Sequence, residues 1–188
     1  MPSMVESIRA EYLRYKTLAE AAIAQLSDAE LWAQGVEQAN SIATICWHVS
    51  GNLQSRFTDF LTSDGEKPWR AREEEFRPRA VTRAELLSKW NLGWDALLGA
   101  LASLADGQLA NTVTIRGQRL SVLEALLRSV THVSYHVGQV IYVAKSLRGA
   151  DWKYLTIPPG QSDAYNKAPA FEKADAHRSA LAERTDRP

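Results

Sequence analysis

Two histidines, His132 and His136, lie four residues apart in the stretch 121–147, whose apolar residues recur with helical spacing. Residues four apart share one face of a helix, about one turn from each other, so both imidazoles could bind a single metal ion. A third histidine, His48, lies in another helical stretch, 41–62. Three neutral imidazoles from two packed helices leave one coordination position open, which is typical of a reactive rather than a structural site.

The neighbours of these histidines favour a cleft. His132 and His136 lie on a line apart from the main apolar stripe of their helix, with small or polar residues such as Ala125 and Ser129. The line of His48 is also polar, and Gly51, one turn away, permits the close approach of another group. A core histidine with a hydrogen-bond partner is the alternative interpretation, and it would describe a metal-free bundle.

Two familiar metal motifs are excluded. The segment 132–136 reads HVSYH, which lacks the glutamate of the HExxH zinc peptidases. A di-iron bundle requires Glu-x-x-His pairs, but Ile45, Ser129 and Val133 occupy the positions three residues before the histidines. A site of three nitrogens favours zinc, nickel or another late first-row ion, which would activate a bound water or thiolate.

Four other polar residues are candidates for substrate binding or for support of the ligands. Asn52 lies one turn beyond His48, and Gln139 about one turn beyond His136. Arg56 and Arg128 could hold an anionic group through paired hydrogen bonds, although surface ion pairs are the more common role of such residues. Cys46 lies about 200° around the helix from His48, so it is expected in the core and not among the ligands.

Helical periodicity dominates the chain and predicts an all-α four-helix bundle. The four long helices are predicted at 3–26, 41–62, 82–104 and 121–148, with a short helical turn after Ser27.

The connections between these helices differ in character. Residues 65–81 form a long, charged crossover, of which 70–79 is most simply a solvated loop, with a lid or a dimer contact as alternatives. Residues 112–115 and 118–120 flank Arg116-Gly117 and predict a small hairpin before the last bundle helix. The bundle is expected to occupy 1–167, followed by a charged C-terminal tail, 168–188, that is partly helical or disordered.

Composition narrows the class of protein. The chain has 22 lysine and arginine residues and 22 aspartate and glutamate residues, so its net charge is zero. Its overall charge therefore does not favour binding to nucleic acid or to an anionic membrane. No apolar run is long enough to span a bilayer, and charged residues interrupt the N-terminal apolar residues where a secretory signal would need them continuous. With a single cysteine no internal disulfide can form, and we expect a cytoplasmic protein.

Three segments together resemble an uncharacterised branch of the DinB/YfiT-like superfamily, over roughly residues 5–166. They are 40–70 with WHVSGN and SDGEKPWR, 129–147 with HVSYHVGQ, and 152–162 with WKYLTIPPGQS. The resemblance implies a four-helix bundle, often a homodimer, with a divalent metal on His48, His132 and His136. Some members of the superfamily act as S-transferases or isomerases with a low-molecular-weight thiol, and others are described as hydrolases without a known substrate.

Two functions therefore follow as expectations. The first is a metal-dependent enzyme that uses nickel or zinc to activate a thiol or water, as a thiol S-transferase or a hydrolase acting on a small molecule. The alternative is a non-catalytic helical dimer in which the metal has a structural or sensing role. Only the enzyme requires an open metal position with a pocket leading to it.

Overall fold

The computed structural model describes residues 2–34 and 39–185, and these ranges fold into eight α-helices and one β-hairpin. The helices are α1 (Met4–Ile23), α2 (Asp28–Trp32), α3 (Ile42–Phe57), α4 (Arg72–Glu75), α5 (Arg83–Ala102), α6 (Val122–Arg148), α7 (Ser162–Lys167) and α8 (Ala174–Thr185). The hairpin comprises β1 (Thr112–Ile115) and β2 (Gln118–Ser121), which pair antiparallel between α5 and α6. Short 3₁₀ turns lie at Asp106–Gln108 and Gly149–Asp151.

Hydroxyl side chains define where the four long helices begin. At each start a serine or threonine oxygen accepts a hydrogen bond from the backbone N–H three residues later, which satisfies one of the free donors of the first turn. In α1, α5 and α6 a glutamate also accepts from the capping residue's own N–H, completing a capping box. The capping residues are Ser3, Ser41, Thr82 and Ser121.

The long helices α1, α3, α5 and α6 enclose one apolar core, which confirms the predicted all-α bundle. α3 packs against both α5 and α6, while α1 packs against α6 and α5. Aromatic rings fill the centre: Tyr12 meets Trp94 edge to face with 6.3 Å between ring centroids, and both are fully buried. The Tyr12 hydroxyl donates to the carbonyl of Leu126 at 3.0 Å, so its polar end is satisfied inside the core.

α3 is shorter than predicted. It ends at Phe57 rather than near residue 62, because Thr58 is extended and Asp59 has a positive φ of 50°. The turn that follows brings the chain back on itself, so that the Ser55 hydroxyl donates to the carbonyl of Gly65 at 2.8 Å. Phe60 remains in the core through contact with Phe57, at 5.0 Å between ring centroids. The apolar pattern therefore holds as far as Phe60, which lies in a turn rather than in the helix, whereas Leu61 is exposed.

The hairpin and the crossover loop hold each other in place. Arg116 and Gly117, both at positive φ, form the predicted two-residue turn. Their backbone N–H groups each donate to the Asp64 carboxylate at 2.8 Å, and Gly65 N–H donates to the carbonyl of Thr114 at 2.8 Å. The start of the crossover is therefore fixed against the hairpin rather than free in solvent.

The C-terminal segment contributes a further helix, since α8 packs against α1. Ala174, His177 and Leu181 are buried, although the sequence pattern indicated few core residues there. The His177 imidazole lies 3.4 Å from the carbonyl of Leu155 and against the ring of Phe171, so this fourth histidine is accounted for by local packing. None of the helices described is both long and apolar enough to cross a membrane.

Candidate metal centre

The structure brings three histidines to one point between α3 and α6. The Nε2 atom of His132 lies 3.3 Å from Nε2 of His48 and 3.1 Å from Nε2 of His136. One nitrogen from each ring lies within 4.8 Å of the other two, so the group could hold a metal ion. His48 is buried, while the other two rings are partly buried.

The outer nitrogens of two of these rings are already engaged. Nδ1 of His48 lies 2.9 Å from the Glu75 carboxylate, and Nδ1 of His136 lies 2.8 Å from Oε1 of Gln139. An ionised carboxylate and an amide oxygen only accept hydrogen bonds, so each of these Nδ1 atoms carries the hydrogen. In a neutral ring that leaves Nε2 as a bare lone pair, and both lone pairs point into the cluster.

This arrangement fits a bound metal ion. Two converging lone pairs repel each other unless a cation or a proton lies between them. Tetrahedral zinc binds histidine nitrogens at about 2.0–2.1 Å, which places neighbouring ligand nitrogens about 3.3 Å apart. The observed separations of 3.1 and 3.3 Å match that value. The hydrogen-bonded outer nitrogens are also the usual means by which ligand histidines are oriented.

The surroundings keep the rings of His132 and His136 in the neutral form that binds metals. Burial lowers the pKa of His132 to about 3, with a further contribution from the charges of His136 and His48 when protonated. Burial likewise lowers the pKa of His136, opposed in part by its hydrogen bond to Gln139. Nδ1 of His132 is buried and has no hydrogen-bond partner among the described residues. At neutral pH the imidazoles of His132 and His136 are therefore unprotonated.

Glu75 reaches the cluster because Gly51 makes room for it. A Cβ atom on Gly51 would overlap Oε1 of Glu75, so any other residue at 51 would displace the carboxylate. Arg70 fixes the same carboxylate from the other side: its Nε donates to Oε1 at 2.8 Å and its Nη2 donates to Oε2 at 2.9 Å. Burial opposes ionisation of Glu75, but the hydrogen bonds from His48 and Arg70 outweigh it and lower its pKa.

These contacts correct the interpretation of 70–79 as a solvated loop. The Arg70 side chain is 2% exposed and that of Glu75 is 8% exposed, whereas Glu73 and Glu74 on the same turn face solvent. On α4, the single helical turn that carries these three glutamates, only Glu75 points inward and is buried. Glu75 was not predicted, because three consecutive glutamates in the sequence give no indication of which one points inward. The only trace in the sequence was Gly51, which indicated a close approach without naming the partner.

A cavity of about 410 Å³ adjoins the histidines, and most of the other site residues predicted from the sequence line it. Asn52, Arg56 and Arg128 line it, together with His48 and His132. Gln139 instead lies behind the cluster, against His136. The cavity therefore reaches two of the three imidazoles, those of His48 and His132.

Arg56 has a structural partner as well as a place in the cavity wall. Its guanidinium donates to the carbonyl of Gly65 and to the Glu66 carboxylate, the latter at 3.1 Å. Glu66 also accepts from Arg116 of the hairpin turn at 2.9 Å. Arg56 thus links α3, the crossover loop and the hairpin while it faces the cavity.

The comparisons with known proteins agree with this fold and leave the activity open. No curated protein is significantly similar in sequence to this chain. A solved structure, described as that of a conserved protein from Enterococcus faecalis, resembles 79% of this chain and 99% of its own, with a TM-score of 0.59 and 15% sequence identity. At that identity the likeness shows a shared fold alone. Residues 2–161, which include all three histidines and the whole cavity wall, match the family described as "Protein of unknown function (DUF1572)", and the chain belongs to that family.

Proposed function

We propose that this protein is a metal-dependent enzyme of the DinB/YfiT-like superfamily that activates a thiol or a water on a small molecule. His48, His132 and His136 hold a divalent transition metal, nickel or zinc. The observation that carries the proposal is the convergence of three Nε2 atoms, two of them oriented as acceptors, at the end of an open cavity.

The chain's own residues account for the binding and orientation that such a site requires. Glu75 and Gln139 hold the rings of His48 and His136 so that their lone pairs face inward. When bound, the ion supplies a positive charge that acidifies a thiol or water in its remaining position. The cavity wall then positions the second reactant next to that nucleophile.

The absence of a free carboxylate from the cavity wall favours activation of the nucleophile by the ion itself. Among the described residues that line the cavity, none is an aspartate or a glutamate. The Glu75 carboxylate, which contacts His48 from outside the cavity wall, is engaged by both His48 and Arg70. A thiol, whose pKa needs the smaller reduction to reach neutral pH, is the nucleophile that this arrangement suits best.

Metal content tests the first step. Tag-free protein, reconstituted with nickel or zinc and freed of excess metal, is expected to retain one equivalent, measured by elemental analysis. His48→Ala should lose most of it, whereas the matched control His177→Gln, which alters the fourth histidine away from the cluster, should not. Retention of metal by His48→Ala with a native circular dichroism spectrum would refute the ligand assignment.

Activity tests the second step. The metal-loaded protein is to be assayed with a bacterial low-molecular-weight thiol plus electrophiles, and separately with ester and amide panels. Metal-dependent consumption of the thiol supports the transferase, and hydrolysis of an ester or amide supports the hydrolase. Stoichiometric metal with no turnover in either assay would favour the non-catalytic metal-binding protein. Sedimentation of the same sample tests the homodimer that the family resemblance implies.

A further inference from the structure

The cavity beside the histidines is unusually rich in arginine. Five guanidinium-bearing residues line it: Arg56, Arg70, Arg72, Arg116 and Arg128. No acidic residue is among the described residues of its wall. A concave surface lined by one sign of charge concentrates ligands of the opposite sign, so the wall favours an anion even though the whole chain has no net charge.

Carboxylates outside the wall neutralise some of these charges but not all. Arg70 is paired with Glu75, while Arg56 and Arg116 share Glu66, and Arg72 faces the exposed Glu73. Arg128 differs from the others, because within the described ranges no carboxylate lies within ion-pair distance of it. Two positive charges, one of them on Arg128, therefore remain uncompensated before any metal ion is added.

Arg128 and Arg56 lie on the same two helices as the histidines, about one turn and two turns away from them. Arg128 precedes His132 by four residues on α6, about 6 Å along the helix axis, and Arg56 follows His48 by eight residues on α3, about 12 Å along its axis. Both arginines line the same cavity as the histidines. A ligand that reaches from the histidines to these arginines therefore needs its anionic group at a distance from its reacting atom, over a range that the flexible arginine side chains widen.

We propose that the cavity binds a small molecule bearing a carboxylate or phosphate group, held by Arg128 and Arg56, with its reacting group at the histidine cluster. The proposal rests on the proposed function, since it names the substrate class of the same site. Guanidinium forks bind both kinds of anion through paired hydrogen bonds, so the shared chemistry is an anionic oxygen group. Phe57, Phe60 and Ile115, which also line the cavity, provide the apolar wall for the connecting part of the molecule.

Thiols of matched length test the proposal by binding alone. Cobalt-reconstituted protein is titrated with 6-mercaptohexanoate, its neutral counterpart 6-mercaptohexanol, and mercaptohexyl phosphate, and thiolate ligation is followed by the sulfur-to-cobalt absorption band. The two anionic thiols are expected to bind about 10–100-fold tighter than the alcohol, and their ratio distinguishes carboxylate from phosphate. 3-Mercaptopropionate, whose carboxylate lies closer to its sulfur, should show a smaller advantage over its own alcohol.

Substitutions then assign the effect to the cavity. Arg128→Gln should remove most of the preference for the acid while leaving metal content unchanged. Arg119→Gln, an exposed arginine on β2 outside the cavity wall, is the matched control and should keep the preference. Equal affinities for the acid and the alcohol, or a preference that Arg128→Gln leaves intact, would overturn the proposal.

Failure of the metal chemistry would be recognised separately. If no thiol perturbs the cobalt spectrum, the thiol part of the proposed function is wrong, and the anion site is then tested on metal-free protein with adipate and inorganic phosphate by calorimetry. Binding that Arg128→Gln abolishes supports the anion site without the metal. The absence of any such binding overturns the anion site as well.

Discussion

Glu75→Gln is expected to weaken metal binding although Glu75 is not a ligand. The carboxylate fixes the tautomer and the orientation of His48 through a 2.9 Å hydrogen bond, and it is itself fixed by Arg70. Removing such an outer partner typically lowers metal affinity by about 10–100-fold, or about 1.4–2.7 kcal/mol. The amide can present its NH₂ group to Nδ1, which would favour the tautomer with hydrogen on Nε2, the nitrogen required by the metal.

The same substitution also affects folding, and the two effects must be separated. Arg70, with a side chain 2% exposed, would lose the nearer of its two negatively charged partners, and breaking such a buried pair costs up to about 3–5 kcal/mol. Glu75→Asp is the informative second variant, because it keeps the charge near Arg70 but is one methylene too short to keep the contact with His48. We expect Glu75→Asp to lose metal affinity with a smaller loss of stability.

The assay is a competition titration of metal-free protein against a chromophoric chelator, at a temperature where every variant is folded by circular dichroism. Glu74→Gln, one residue away and exposed on the same turn, is the matched control and should match the wild type. If Glu75→Gln and Glu75→Asp both bind metal as tightly as the wild type, Glu75 does not orient His48 and the argument fails. If Glu74→Gln loses as much affinity, the effect is one of general charge rather than of the hydrogen bond.

Three further predictions concern the rest of the fold. A Cβ on Gly93 would lie 2.6 Å from the Ser50 backbone, so Gly93→Ala should lower the free energy of unfolding by about 1–3 kcal/mol in a denaturant titration. Gly99→Ala in the same helix, with open space around it, should be neutral or stabilising. Equal effects of the two substitutions would contradict this packing. Burial raises the pKa of the Cys46 thiol, so native protein should not react with a disulfide reagent that labels it in denaturant, and rapid native labelling would show that the site opens. Hydrogen bonds from backbone N–H groups lower the pKa of Asp64 to about 2, below its value in the unfolded chain. The stability that this carboxylate contributes is therefore present above about pH 4 and is lost as the pH falls through the pKa of the folded state. The free energies of unfolding of wild type and Asp64→Asn should therefore differ at neutral pH and converge towards pH 2, and a constant difference would show that ionisation of Asp64 plays no part.

The sequence predicted the bundle and the cluster of histidines because both depend on local spacing. A four-residue interval fixes His132 and His136 on one face, and hydroxyl caps such as Ser121 mark where a helix begins. The polar line around His48 then indicated the side of α3 that faces them. The pairing of His132 with His136 is determined within one turn of the chain, whereas the joining of His48 to them, 84 positions away, was implied by the family resemblance.

The contact of Glu75 with His48 could not be predicted in the same way. It joins residues 27 positions apart through a loop whose path depends on tertiary hydrogen bonds. Those bonds include Ser55 to Gly65 and Asp64 to the hairpin turn, and neither leaves a periodic pattern in the sequence. The early end of α3 has the same origin, because its last predicted turn is used to redirect the chain into this loop.

The crossover loop therefore belongs to the site as much as the helices do. Its first half is fixed to the hairpin by Asp64, and its second half places Glu75 against His48. Arg70 joins the two halves, since it lies 3.9 Å from Glu66 and 2.8 Å from Glu75, and Arg56 shares Glu66 with it at 3.1 Å. Because the same two arginines line the cavity, an anion bound there competes with Glu66 for them and acts on the network that holds Glu75. Ligand binding and metal binding should therefore be coupled through the loop, and a ligand that draws Arg70 away from Glu75 would change metal affinity without contacting the metal.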